Sequence, residues 1–321
     1  MIEPMRFDTL GLNRFPASGQ CGLPWDAMYF ATVSPHMLRK LTNGGRGVNS
    51  SNDIEALTCR VGVIAERRYA FQAQPRGVID ALLRTPGVEF VDIENGDQLG
   101  RCDVVLARGR SEAVLGLLAE AERRGVRTVN SSSSVRAVLD KAEMHQRLMN
   151  AGVRVPRTWT GRIDDLRLEL RRECGPLVIK PVRGDNCRDV SILDDGRALE
   201  RAAWSEPTAI VQEYVANDGF DVKLYGIGDR VWTVRKPSPL HPSDVSAVRR
   251  ATTADEVRLA RRCANAFGLD LYGVDCIETR AGLVVIEVND FPNYSGIEGA
   301  DELLADFVLA QIDSRQAATA S

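Results

Sequence analysis

The chain has 321 residues with 44 acidic and 41 basic side chains, so its formal net charge is −3 at pH 7. This near balance provides no general attraction to nucleic acid or to anionic membranes, and we expect neither as a partner. The length exceeds what one small hydrophobic core organises, which predicts two or three packed subdomains.

The cysteine and histidine content argues against disulfides and against a zinc site. Seven cysteines are scattered along the chain without a C-x-x-C pair, and the three histidines show no metal-ligand spacing. No apolar run reaches the roughly 18 residues of a membrane span, and the N-terminus lacks a secretory-signal pattern. We therefore expect reduced thiols and a cytoplasmic protein, while the oligomeric state stays open.

The first part of the chain divides into an irregular segment and an alternating one. Residues 1–56 are punctuated by Pro, Gly, Asn and Ser and are predicted to form a poorly structured N-terminal extension. Residues 57–135 alternate short apolar runs with helical periodicity, which predicts a parallel sheet covered by helices. The predicted strands lie at 59–66, 88–93, 102–108 and 126–130, and the predicted helices at 75–87 and 111–125.

The remainder of the chain predicts two further lobes of mixed helices and strands. A helix at 134–152 leads into them. We expect one hairpin that turns at Gly228–Asp229 and a second that turns at Ala281–Gly282. The predicted fold class is therefore α/β, with an N-terminal parallel-sheet domain followed by two α+β lobes. The remaining units are a small lobe, a C-terminal lobe and a tail, at 136–208, 209–313 and 314–321.

The second hairpin carries polar side chains that suit a metal ion. Asp275 lies on its first arm, and Glu287 and Asn289 share one face of the second arm because strand side chains alternate. Two carboxylates and an amide are hard oxygen donors of the kind that Mg²⁺ prefers, with phosphate oxygens completing its shell. The alternative is an ordinary half-buried strand in which Glu287 and Asn289 face water.

Two lysines are candidates for contacts with phosphate. Lys180 interrupts the apolar strand 177–182, where an unpaired ammonium is costly, so it should meet an anion. The alternative is an edge-strand lysine that points to solvent. Lys141 follows Asp140 on a predicted helix and by itself resembles any surface lysine.

The run 210-IVQEYV-215 is a candidate adenine contact. Its backbone amide and carbonyl groups are suited to the polar edge of the base, and Asp221 is placed to hold ribose hydroxyls. Taken singly, Gln212 and Glu213 are as consistent with an ordinary strand pair.

The order of short motifs along the chain resembles the ATP-grasp superfamily over about residues 59–312. The motifs are, in chain order, DK, VIKP, QEYV, DVK, GVDCIE and VIEVN. The resemblance implies an ATP-grasp fold in which two α+β lobes clasp ATP. It also implies a requirement for Mg²⁺, with two ions expected and Mn²⁺ able to substitute.

Matched residue by residue, the resemblance implies how the nucleotide and the metal are held. Lys141 and Lys180 would contact phosphates, the backbone from Glu213 to Val215 would meet adenine, and Asp221 would bind ribose. The implied cofactor-binding set is Lys141, Lys180, Gln212, Glu213, Tyr214, Val215, Asp221 and Lys223, and the implied metal ligands are Asp275, Glu287 and Asn289.

Two branches of the superfamily share features with this sequence. The ending 286-IEVNDFPNYSGIEGAD-301 looks like the RimK-like carboxylate-amine ligases, which form amide bonds. The inositol polyphosphate kinases are similar at 212-QEYV-215, 223–238 and 287-EVNDFPNY-294. We favour the ligase branch because more ATP-grasp branches join acids to amines than phosphorylate alcohols. A nucleotide-binding protein without catalysis is a third alternative, against which the intact set of lysines and metal ligands argues.

The ligase hypothesis predicts that ATP drives the joining of a small-molecule or peptide carboxylate to an amine through an acyl phosphate. The work of the protein is then positioning and charge neutralisation, and no protein nucleophile is required. Arg235 or Lys236 would stabilise the transferring phosphoryl group or the tetrahedral oxyanion.

The kinase alternative delivers the phosphoryl group to an anionic alcohol such as an inositol phosphate. Arg183 and Arg188, with the turn at 66–68, would grip the acceptor by bidentate pairing. The loop 183–189 has a single Gly instead of a Gly-rich phosphate flap, and Asn293 stands where the kinases have Gly. Arg183, Arg188 and Asn293 are the candidate substrate contacts.

Overall fold

The computed structural model describes residues 59–66, 69, 73–90, 93, 96–184, 189–241 and 245–319. The predicted extension at 1–56 lies outside these residues, as does Arg188. Within the described part of the chain, no helix is both long enough and apolar enough to cross a membrane.

Four parallel strands form the N-terminal sheet, in the spatial order β2–β1–β3–β4. Side chains of β1 pack on both faces: Val63 contacts a core that includes Leu82, whereas Ile64 contacts one that includes Leu115. Burial of both faces explains the nearly continuous apolar runs of these strands, and the predicted parallel sheet is confirmed. The elements are β1 (Cys59–Ala65), α1 (Ala73–Leu83), β2 (Val88–Phe90), β3 (Val104–Arg108), α2 (Glu112–Arg123) and β4 (Arg127–Val129).

The helix predicted at 134–152 is divided in two. The structure contains α3 (Ser132–Leu139) and α4 (Lys141–Asn150), and Asp140 between them has an extended backbone. The Asp140 carboxylate accepts hydrogen bonds from the N–H groups of Ala142 and Glu143, at 2.9 and 3.1 Å. An aspartate that caps a new helix competes with continuation of the previous one, so Asp140 creates a helix N-terminus at Lys141.

A four-stranded antiparallel sheet in the order β5–β8–β6–β7 forms the small lobe. Two short helices cover one face of it, where Leu166 and Leu199 pack against Ile179 and Val211. The elements are β5 (Thr158–Arg162), α5 (Ile163–Glu169), β6 (Leu177–Lys180), β7 (Ser191–Leu193), α6 (Gly196–Arg201) and β8 (Thr208–Glu213).

A five-stranded antiparallel sheet in the order β11–β10–β9–β12–β13 forms the C-terminal lobe. Both predicted hairpins are present. The strands β9 and β10 reverse at the predicted Gly228–Asp229, whereas β12 and β13 reverse at Arg280–Ala281, one residue before the predicted turn, because Gly282 pairs with Thr279. The elements are β9 (Phe220–Ile227), β10 (Arg230–Pro237), β11 (Val248–Arg250), α7 (Ala254–Phe267), β12 (Leu271–Thr279) and β13 (Gly282–Asn289).

The last helix, α8 (Ala300–Thr319), joins the N-terminal sheet to the C-terminal lobe. Leu304 and Val308 of this helix belong to a single buried cluster with Val61 of β1, Leu82 of α1 and Tyr225 of β9. The helix also continues through residues 314–319, which were predicted as a tail. The shared core holds the end of β3 against the C-terminal lobe, and this contact builds part of the site described next.

Candidate active site

One face of the C-terminal sheet collects the polar residues of the site. Asp275 pairs across the sheet with Lys223 on one side and with Glu287 on the other, so the three side chains emerge on the same face. A β-bulge follows Asp275, a feature common beside active sites. The residues of this face are Asp221, Lys223 and Tyr225 of β9, Lys236 of β10, Asp275 of β12, and Glu287 and Asn289 of β13.

The carboxylates on this face are paired with buried lysines. Lys223 Nζ lies 2.7 Å from Asp275 Oδ2 and 3.6 Å from Asp221 Oδ2. Lys141 Nζ donates to Glu287 Oε1 at 2.5 Å, with 8% of the Lys141 side chain exposed. The alternative was an ordinary half-buried strand in which Glu287 only faces water. Instead, Glu287, with 26% of its side chain exposed, pairs with a lysine, and Lys141 is not a surface lysine.

The two facing carboxyls have opposite pKa shifts. Burial raises the pKa of Asp275, and the negative charge of Glu287 adds to this effect although Lys223 opposes it. Burial also acts to raise the pKa of Glu287, but the charges of Lys141 and Lys180 outweigh it and hold that pKa below its usual range. The two lysines beside Glu287 thus favour its charged form, whereas burial and the neighbouring Glu287 disfavour the charged form of Asp275.

The donor set fits a divalent cation that is shared with a phosphate. Two carboxylates and the Asn289 amide are hard oxygen ligands on adjacent strands. In the described part of the chain, no cluster of three or more His, Cys, Asp or Glu side chains is arranged to hold a metal ion. A Mg²⁺ ion here would therefore take further ligands from phosphate oxygens or water, which is its usual behaviour.

A first cavity lies between the small lobe and the C-terminal sheet. Val178 and Ile286 provide apolar surface, and the Gln212 amide is oriented by donating to Thr158 Oγ1 at 2.8 Å. An apolar cleft with a few oriented polar groups suits a planar heterocycle. The cavity is lined by Val178, Lys180, Val190, Gln212, Tyr214, Val215, Asn217, Asp221, Lys223, Ser238, Pro239, Leu240, Asp275, Ile277, Ile286 and Glu287.

Most residues predicted to contact the nucleotide meet at this first cavity. Lys180 Nζ lies 3.5 Å from the Ile286 carbonyl oxygen, and Tyr214 Oη forms a 2.7 Å hydrogen bond with His241 Nε2. Glu213 differs, because its side chain is exposed and does not line the cavity. Lys141 does not line the cavity either but reaches it through Glu287.

A second cavity lies between the end of β3 and the C-terminal sheet. It shares Lys223 and Asp275 with the first cavity, so the two meet at the predicted metal ligands. Its lining residues are Tyr69, Arg108, Arg110, Lys223, Tyr225, Lys236, Asp275, Asn289, Phe291, Pro292, Asn293 and Ser295.

Arg108 and Arg110 are not among the residues predicted from sequence. Both come at the end of the buried run 104–107, and the carboxyl end of a parallel strand is where α/β proteins bind ligands. That position is the signal that identifies them. Arg110 Nε donates to Asp290 Oδ1 at 2.7 Å, and its Nη2 donates to Asn289 Oδ1 at 3.3 Å. Burial acts to lower the pKa of Arg110, but the Asp290 carboxylate raises it above the usual value.

Besides Lys141 and Glu213, two more of the predicted residues that the structure describes, Arg183 and Arg235, line neither cavity. Arg235 is on the opposite face of β10 from Lys236, where its guanidinium pairs with Asp218 and lies 3.8 Å from the Phe220 ring centroid. Strand alternation therefore separates Arg235 from the face that carries the predicted metal ligands. The Arg183 side chain is exposed, whereas Asn293 lines the second cavity.

Two lobes around a cleft, with lysines and carboxylates gathered where two cavities meet, define an ATP-grasp enzyme, a class that uses ATP and Mg²⁺. Residues 138–311 match the model of the RimK-like ATP-grasp domain, and the chain belongs to this family of ATP-dependent carboxylate-amine ligases.

Curated relatives carry ligase names. A probable alpha-L-glutamate ligase of Shewanella loihica is 30% identical over 239 residues, which are 69% of this chain and 78% of the relative. The corresponding values for a probable alpha-L-glutamate ligase 2 of Shewanella frigidimarina are 32% over 225 residues, 64% of this chain and 75% of the relative. These matches support the ligase hypothesis over the kinase alternative.

Solved structures agree on the fold. A RimK domain ATP-grasp protein from Sphaerobacter thermophilus aligns with a TM-score of 0.62 and 22% identity, covering 78% of this chain and 100% of that one. The ATP-grasp ligase PsnB, in a complex with Mg and ADP, aligns with a TM-score of 0.60 and 20% identity over 80% of this chain and 99% of its own. The predicted ATP-grasp fold is confirmed.

Proposed function

We propose that this ligase activates a carboxylate at the junction of the two cavities and joins it to an amine. A carboxylate oxygen attacks the γ-phosphorus of ATP and ADP leaves. The amine nitrogen then attacks the acyl carbon, inorganic phosphate leaves, and the amine proton passes to solvent. The observation that supports this most directly is that Lys223 and Asp275 line both cavities, so a nucleotide in one and an acid in the other would meet there.

The first cavity is the proposed nucleotide site. The backbone at 213–215 and the oriented Gln212 amide would contact adenine, and the buried Asp221 carboxylate would accept hydrogen bonds from ribose hydroxyls. Lys141 and Lys180 both act electrostatically on Glu287, so phosphates bound beside it would meet two ammonium groups. This arrangement neutralises the repulsion between ATP and an anionic attacking group.

Asp275, Glu287 and Asn289 are the proposed magnesium ligands. We propose two ions, and that Mn²⁺ can replace them. When bound, the metal supplies charge neutralisation on the phosphate oxygens. Lys223 lies against Asp275, and its positive charge opposes the rise in the pKa of that carboxyl.

Lys236 is the proposed cationic contact for the substrate on the second-cavity side. It shares the face of Asp221 and Lys223 and lines the second cavity, where an anionic group of the substrate would meet its ammonium. Arg235 is assigned no such role, because its position on the other face of β10 commits it to Asp218.

L-Glutamate is the proposed amino acid substrate, and the other substrate is a small-molecule or peptide group. The support for glutamate is the naming of the curated relatives as probable alpha-L-glutamate ligases. The cationic lining of the second cavity is compatible with an acidic amino acid.

The experiment is to incubate the purified chain with ATP, Mg²⁺ and a panel of carboxylates, with and without L-glutamate, and in parallel with inositol phosphates. ADP, inorganic phosphate, ligated product and phosphorylated acceptor are measured. Hydroxylamine added in place of the amine should trap the acyl phosphate as a hydroxamate. We expect phosphate release that requires both an acid and an amine. A phosphorylated alcohol that forms without free phosphate would support the kinase alternative instead.

A further inference from the structure

The second cavity has a wall that the N-terminal sheet contributes, and Arg108 is its central feature. Arg108 is the last residue of β3 and is 8% exposed. Its guanidinium carbon lies 4.4 Å from the ring centroid of Tyr69 and 5.2 Å from that of Phe291. Contacts with two rings hold the guanidinium plane in place before any ligand arrives, so little conformational entropy is lost when an anion binds.

The lining of the second cavity has an excess of positive charge. Among the residues that the structure describes, four cationic side chains line it against a single carboxylate. Lys223 pairs with that carboxylate, Asp275, and Arg110 pairs with Asp290 behind the cavity wall. Across the described ranges no carboxylate forms an ion pair with Lys236, which is half-buried. A partly dehydrated cavity with this charge pattern attracts an anion and rejects a cation.

The cavity also limits how a substrate can lie in it. Its wall near Asp275 and Asn289 adjoins the proposed site of phosphoryl transfer, while Arg108 comes from the end of β3 and Tyr69 from the turn that follows β1. A substrate whose reacting group lies at the metal ligands would therefore direct the rest of its structure toward Arg108. Asn293 Oδ1, 3.5 Å from Arg108 Nη2, adds a polar group on that side.

We propose that Arg108 and Lys236 determine substrate specificity by binding a second anionic group of the substrate, one that does not react. The inference rests on the proposed function, because it assumes that the second cavity is the ligase's substrate site. A planar guanidinium can donate two parallel hydrogen bonds to a carboxylate, which favours a carboxylate, although a phosphate offers the same chemistry.

The test is calorimetry on the whole chain in the presence of Mg²⁺ and a non-hydrolysable ATP analogue. The ligands are two matched pairs, L-glutamate with L-glutamine and O-phospho-L-serine with L-serine. We expect L-glutamate to bind roughly tenfold or more tightly than L-glutamine, because the two differ by one ionic contact. Tighter binding of phosphoserine than of glutamate would support the same two cations and assign the second group as a phosphate. Equal binding within both pairs, or no binding of any of the four, would overturn the inference.

The variants identify which residues provide the discrimination. Arg108→Gln and Lys236→Gln should each reduce the preference for glutamate by roughly tenfold, and Arg108→Lys should restore part of it. Arg230→Gln, an exposed position on the same strand as Lys236, is the matched control and should leave the preference unchanged. If both Gln variants keep the full preference, the assignment is wrong. Because Arg108 is buried, the thermal unfolding of its variants is measured alongside binding. Lys236 is only half-buried, so the Lys236 variant tests the same preference with less risk to folding.

Binding of the ATP analogue separates this inference from the proposed function. Normal nucleotide binding without discrimination between the matched pairs would refute the roles of Arg108 and Lys236 and leave the ligase function intact. Failure to bind the analogue at all would refute the proposed nucleotide site itself.

Discussion

The first and second cavities share Lys223 and Asp275 but are assembled in different ways. The first cavity is built largely from strands of the small lobe and the C-terminal sheet, and its chemistry follows from strand alternation. The second cavity also needs residues at the end of a strand of the N-terminal sheet. One of them, Arg110, is hydrogen-bonded to Asn289 and Asp290, which are separated from it by 179 and 180 positions along the chain. Residues within a hairpin can be placed by local periodicity, whereas residues brought together by a shared core cannot.

The largest effect is expected from Glu287→Gln, which tests whether the shared junction is catalytic. Loss of the carboxylate removes a proposed metal ligand and the partner of Lys141. We expect turnover, measured as ADP formation, to fall by about 10²- to 10³-fold with the fold retained. Glu278→Gln, at an exposed position of the same hairpin, is the control and should remain active. Full activity of the Glu287 variant would remove the metal assignment.

Asn130→Ala tests whether packing of the N-terminal sheet against the C-terminal lobe supports the second cavity but not the first. Asn130 Oδ1 accepts from the N–H groups of Asp270 and Leu271, at 2.7 and 2.9 Å, and its Nδ2 donates to Leu271 O at 2.8 Å. Buried groups left without partners should lower the free energy of unfolding by roughly 3 kcal/mol.

That loss of stability should be seen in urea unfolding, and it should be absent in Asn265→Ala, an exposed control on α7. Affinity for the ATP analogue should be unchanged below the unfolding transition, whereas amino acid binding should weaken. If the binding of the ATP analogue and of the amino acid weakened equally, the two cavities would depend on the same contacts and would not be assembled independently.

Lys180→Ala tests the first cavity on its own. Its ammonium lines that cavity and acts on Glu287, so its removal should weaken binding of the ATP analogue roughly 10- to 100-fold, as expected for one charge-assisted contact. Calorimetry measures this directly. Arg172→Ala, an exposed position in the same lobe, controls for a general change in net charge. Unchanged nucleotide affinity would count against a phosphate contact by Lys180.

The smallest effect is expected from Arg183→Gln. This variant compares Arg183, which the sequence suggested as a substrate contact, with Arg108, which lines the second cavity in the structure. Arg183 is exposed and lies outside both cavities, so amino acid affinity should stay at the parent value. Arg108→Gln serves as the sensitive counterpart in the same titrations. A loss in the Arg183 variant as large as that in the Arg108 variant would show that the loop after β6 reaches the substrate.

Lys141 and Arg235 show where inference from local sequence was insufficient. Nothing local distinguishes Lys141 from a surface lysine, and its burial depends on the Asp140 cap and on its contact with Glu287, 146 positions away. Arg235 and Lys236 are adjacent and equally basic, so composition could not choose between them. Their separation follows from the pairing of Lys236 with Asp221 across β9 and β10.

The sequence by itself determined most of the elements and one face of the site. Alternation along β13 placed Glu287 and Asn289 on one side of the hairpin, and the turn residues located the first reversal correctly and the second to within one residue. Only the tertiary structure decided that Lys141 is buried, that Arg235 lies away from the site, and that Arg108 and Arg110 line it. The physical reason is that strand periodicity is a property of a few neighbouring residues, whereas the second cavity exists because α8 and the buried cluster around it hold the N-terminal sheet against the C-terminal lobe.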